Sequence, residues 1–129
     1  FENDQYVASG LTIAAEAHHP VIQAMIAEYE KLHYVQPDGS ITPVGCPRLN
    51  SDVLERFGLI RNGQEQLVAG IHVYPADYFN PLDSVTGKLT KTENTYSIHW
   101  YSMSWLPQHK QMRARVGRII RRLTKKVKL

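Results

Sequence analysis

A chain of 129 residues has room for one modest domain and little more. Its 43% hydrophobic and 21% charged residues are the proportions of a folded chain and exclude an intrinsically disordered one. The formal net charge of +3 divides unevenly: nine basic residues lie between Lys110 and Leu129, no acid follows Glu93, and residues 1–109 keep six basic residues against all 12 acids.

In chain order, Gln5 to Ala15 reads as an extended segment broken at Ser9-Gly10, with Leu11-Thr12-Ile13 as its centre. Pro20 stands where a first helical turn accepts proline, and Val21, Ile22, Met25, Ile26, Tyr29 and Leu32 follow at helical spacing. A helix from Pro20 to His33 is expected. His18 and His19, being adjacent, point in different directions, and they read as flanking residues rather than metal ligands. Gln36-Pro37-Asp38-Gly39-Ser40 is a turn. Pro47 opens a second helix, with Val53, Leu54 and Phe57 as its apolar face and Gly58 as its stop. Cys46, the single cysteine, excludes an internal disulfide and reads as a small residue packed at the tight turn before that helix.

Gln66 to Tyr74 alternates as one strand, with Leu67, Ala69, Ile71 and Val73 on one side. An irregular stretch runs from Pro75 to Thr92, and Thr95 to Tyr101 reads as a second strand. Two main helices with a few short strands make a mixed α/β or α+β unit. So small a sheet is marginal unless other strands join it, and its open edges leave a homodimer through them as an expectation.

The tail is a third helix. Met112, Val116, Ile119, Ile120, Leu123 and Val127 draw one apolar stripe, and lysines and arginines fill the other positions. Such a helix suits an anionic membrane surface, or it packs its stripe on the body or on a partner. Nucleic acid is disfavoured, because the tail holds no aromatic side chain for base stacking and the body is acidic. No apolar run approaches the ~20 residues that a spanning helix needs. The domain reading is residues 1–107 as body and 108–129 as basic amphipathic helix.

No phosphate-binding glycine loop, Gly-x-Ser-x-Gly elbow or His-Glu-x-x-His pair is present, and the carboxylates are scattered. One segment stands apart. Thr92-Glu93-Asn94-Thr95-Tyr96-Ser97-Ile98-His99 closes on Ser104-Trp105 and gathers a histidine, two tryptophans, two tyrosines and several hydroxyls. With Gly45-Cys46-Pro47 before a helix and Tyr74-Pro75 at a strand end, it resembles the C-terminal half of bacterial capsular-polysaccharide glycosyltransferases. That family carries an Asp-x-Asp motif and also includes the yeast initiating mannosyltransferase. The similarity runs from about residue 1 to 107, and the His…Ser-Trp segment is its most specific part.

The resemblance implies an A-type, Rossmann-like catalytic domain that moves a sugar from a nucleotide-sugar to a glycan acceptor, with a divalent metal, typically manganese, on the donor diphosphate. It places His99 at the metal, Ser104 and Trp105 in the loop over the donor phosphates, and Gly45 and Pro47 toward the acceptor. The family's Asp-x-Asp has no counterpart here, since Asp4, Asp38, Asp52, Asp77 and Asp83 all stand alone. One imidazole does not hold manganese tightly, so the chain reads as a portion of the enzyme, inactive by itself, on the cytoplasmic face of the membrane. That it starts at Phe1 with no signal-like segment agrees with processing or with a piece of something longer. The rival reading is a non-catalytic module whose basic tail contacts an anionic membrane or protein partner.

Overall fold

The computed structural model describes residues 1–41, 44–104 and 106–126. Trp105, and Val127 at the end of the tail's stripe, lie outside the described residues. The elements in order are α1 (Pro20–Glu30), α2 (Cys46–Arg56), β1 (Gln66–Val68), β2 (Ile71–Val73), α3 (Ala76–Phe79) and α4 (Gln108–Lys126). The fold is mixed helix and strand, compatible with α+β, and β1 and β2 form a two-stranded antiparallel sheet. The chain divides into two compact units, Phe1–Ala76 and Asp77–Leu129.

In the first unit α1 and α2 pack on each other and on the hairpin. The core comprises Val21 and Met25 from α1, Val53 and Leu54 from α2, Val68 and Val73 from the strands, and Phe1 and Leu59. Pro20 opens α1, and His19 caps it, its Nδ1 accepting from the Val21 N–H at 3.3 Å. The helix stops at Glu30, three residues before the predicted end, and the chain turns into a tight loop bridged at Val35 and Ile41. Only the inner edge of its stripe is buried, since Ile26 is 53% and Tyr29 42% exposed. Glu28 joins the helices, pairing with Lys31 at 2.9 Å and Arg56 at 2.8 Å, and these two cations hold its carboxyl below the ordinary glutamate range.

α2 ends as the sequence suggests. The Leu59 N–H bonds the Leu54 carbonyl and the Gly58 N–H bonds the Glu55 carbonyl, both at 3.0 Å, with Gly58 at φ 102°. This is a Schellman closure, in which buried Leu59 packs back on buried Leu54. Phe57, expected on the inner face, sits at the cap and is 36% exposed. Gly58→Ala is expected to lower stability by ~1–2 kcal/mol, because an added Cβ meets open space and the whole cost is the left-handed backbone. Urea unfolding followed by circular dichroism measures it.

Three expectations need correction. The segment from Gln5 to Ala15 makes no strand: it turns at Ser9-Gly10-Leu11, and side chains of α2 satisfy it. The Val7 N–H donates to the Ser51 hydroxyl at 2.8 Å, and Asn50 donates to the Ser9 hydroxyl at 2.6 Å. The single strand from Gln66 to Tyr74 is a hairpin. Ala69 and Gly70, at φ 46° and 86°, form its two-residue turn, which reverses the chain and resets the alternation. Val68 and Val73 therefore face the core, whereas Leu67 is turned outward and 73% exposed. Finally, Cys46 is exposed at the start of α2 rather than packed.

Candidate functional site

The second unit carries the segment that the sequence singled out, and Thr95 to Tyr101 is not a strand there. The short helix α3, within the stretch expected to be irregular, collects its polar groups. The Thr92 hydroxyl donates to the Asp77 carboxylate and the Thr95 hydroxyl to the Asp77 carbonyl, both at 2.8 Å. The Tyr96 N–H donates to the Tyr78 carbonyl at 2.8 Å. The rings of Tyr78, Phe79 and Tyr96 gather within 6.0–6.3 Å of one another. Backbone groups that a strand would offer to a neighbour are used here on α3.

His99 follows this laced segment. Its imidazole is exposed and lies on the ring of Tyr101, with centroids 4.1 Å apart. Tyr101 adopts a left-handed backbone at φ 48°, which a tyrosine keeps only where its surroundings fix it. Those surroundings include Asn80, which is 4% exposed and whose Nδ2 donates to the Tyr101 hydroxyl at 2.8 Å. The imidazole thus stands in solvent on an anchored aromatic platform.

Beside it is an open groove of about 430 Å³, walled by Trp100, Tyr101 and Ser102, by Thr86 and Gly87, and by Arg115, Arg118 and Ile119 of α4. Two guanidinium-bearing side chains, three that carry hydroxyls and an indole suit an anion attached to a planar or apolar group. Sequence reading missed Arg115 and Arg118 and took the whole tail as surface charge. The available signal was their three-residue spacing, which puts both on one side of a helix.

The remaining predicted residues fall in both units. Ser104 is exposed in the turn after Met103, itself at φ 54°, and belongs to the same unit as His99. Trp105 lies outside the described residues. Gly45 is the N-cap of α2 and Pro47 occupies its first turn, both in the other unit. Among the described residues no three His, Cys, Asp or Glu side chains gather as a metal-binding group. No protein-family model matches the chain, and neither a curated protein nor a solved structure is significantly similar to it.

Proposed function

We propose that these residues are part of a metal-dependent glycosyltransferase, of the A-type, Rossmann-like kind, that moves a sugar from a nucleotide-sugar to a glycan acceptor in surface polysaccharide synthesis at the cytoplasmic face of a membrane. One observation carries the reading: His99, in the most specific part of the resemblance, is presented to solvent on the Asn80–Tyr101 platform instead of being buried in hydrocarbon. A group fixed by packing and hydrogen bonding is positioned well for a reacting centre. The adjoining Arg115 and Arg118 offer positive charge where a diphosphate would lie.

At the candidate site manganese would find the His99 imidazole, and among the described residues no three His, Cys, Asp or Glu side chains gather as a donor set. The neighbour of that ring is a tyrosine, and no Asp-x-Asp occurs among the 129 residues. A complete ion site requires carboxylates that these residues do not supply. Their own contribution is to present the imidazole, to offer cations to the donor phosphates, and to place Ser104 in the exposed turn beyond.

In the full-length enzyme, His99→Ala is expected to lower manganese-dependent hydrolysis of the nucleotide-sugar donor by about tenfold. Unchanged hydrolysis removes His99 from the site. If the full-length protein turns over none of a panel of nucleotide-sugars, with manganese or magnesium present, the glycosyltransferase reading itself fails.

A further inference from the structure

The stripe on α4 faces outward. Met112, Val116, Ile119, Ile120 and Leu123 are 63, 49, 59, 54 and 61% exposed, although the sequence allowed that hydrocarbon to pack on the body. Among the described residues of the helix, the half-buried ones are instead Gln111, Ala114, Gly117 and Arg118. Polar side chains hold it within its unit. Gln111 donates to the Leu106 carbonyl at 2.7 Å, Arg121 Nε to the Val85 carbonyl at 3.0 Å, and Arg118 to the Tyr101 carbonyl at 3.5 Å. The helix is therefore attached by its arginines, with its hydrocarbon turned to solvent.

The charge around that stripe identifies what covers it. α4 carries eight lysines and arginines and no acid in 19 residues. At about 100° per residue, Arg113 stands on one border of the stripe and Arg115 on the other. A protein groove that took the stripe would have to supply an acid opposite each border along ~28 Å of helix. Nucleic acid would meet the cations and leave the hydrocarbon in water. An anionic bilayer surface supplies both complements continuously, with headgroup charge on either side of a shallow apolar layer. The stripe is narrow and wholly aliphatic or thioether, which suits shallow insertion better than a shaped pocket. Among the described residues no helix is long and apolar enough to cross a membrane, so a bilayer-bound α4 would lie in the surface plane.

We infer that α4 docks the protein onto an anionic membrane surface, with Met112, Val116, Ile119, Ile120 and Leu123 entering the headgroup–acyl boundary and the flanking arginines on lipid phosphates. This inference does not rest on the catalytic reading, although Arg115 and Ile119 also wall the groove.

The test is co-sedimentation of the full chain with vesicles of phosphatidylcholine containing phosphatidylserine, against phosphatidylcholine alone. Binding to the anionic vesicles is expected to be at least about tenfold tighter and to weaken as salt is raised. The double variant Ile119→Ser, Leu123→Ser is expected to lose that binding. Both side chains are exposed, so its circular dichroism should match that of the unaltered chain in solution. Full binding by the double variant would reduce the contact to charge alone and overturn the docking. So would equal affinity for both vesicle types, no vesicle binding at all, or exclusive binding to an acidic protein or to nucleic acid.

Discussion

Leu54→Ala is expected to destabilise the Phe1–Ala76 unit by about 2–5 kcal/mol. Leu54 is 2% exposed and has two tasks. Its side chain belongs to the core with Val21, Met25, Val53 and the hairpin valines, and its carbonyl takes the Leu59 N–H that closes α2. Truncation removes transfer energy and leaves a cavity, and Leu59 loses the partner that holds it in the Schellman closure. The unit has few buried apolar residues to spare, and small domains have narrow stability margins. Urea unfolding followed by circular dichroism should show a lower midpoint for this variant. Leu67→Ala is the matched comparison: the same chemistry at a side chain 73% exposed should change stability by less than ~0.5 kcal/mol. Equal losses at the two positions would contradict the hairpin register that buries Val68 and Val73 and exposes Leu67.

That register also marks where the sequence stopped being readable. α1 and α2 are legible because both carry proline in the first turn and apolar residues at helical spacing, and Gly58 is placed where only a left-handed residue closes the second. The hairpin turn gives no such signal. Alternation continues through Ala69, an alanine that takes the left-handed backbone that Asn or Gly usually supplies, so period alone reads one strand where there are two. Thr95 to Tyr101 has strand composition, yet its backbone N–H groups bond to Tyr78, and Thr95 with the preceding Thr92 bonds to Asp77, partners 15–19 residues away that no local pattern shows. At the candidate site, residue type and motif order picked out His99. The Tyr101 platform, the buried Asn80 beneath it and the Arg115–Arg118 wall arise from packing, and local periodicity carries no trace of them.

Asn80→Ala should loosen His99 while leaving every residue of the motif unchanged. The Asn80 amide is buried, and its Nδ2 lies 2.8 Å and its Oδ1 3.1 Å from the Tyr101 hydroxyl. Its loss removes a buried hydrogen-bond partner of that hydroxyl, at an expected cost of ~1–3 kcal/mol. Stability alone does not establish positioning, so the informative readout is the His99 ring. In the unaltered chain its protons lie close to the Tyr101 ring, 4.1 Å between centroids, and should show an upfield ring-current displacement by NMR. Tyr101→Phe retains an aromatic ring and loses the hydroxyl, so it should destabilise by a similar amount and move the His99 protons part of the way. Tyr101→Leu should abolish the displacement. If the chain is folded and Asn80→Ala leaves the His99 shifts at their original values, the amide does not position the imidazole. The platform then reduces to a surface stacking pair, and the structural support for His99 at a reacting centre is lost with it. If the displacement collapses in Asn80→Ala, a buried amide sets the direction of an exposed imidazole. On the proposed glycosyltransferase reading, activity would then fall in kcat more than in KM, because a mispositioned group is missed in the transition state.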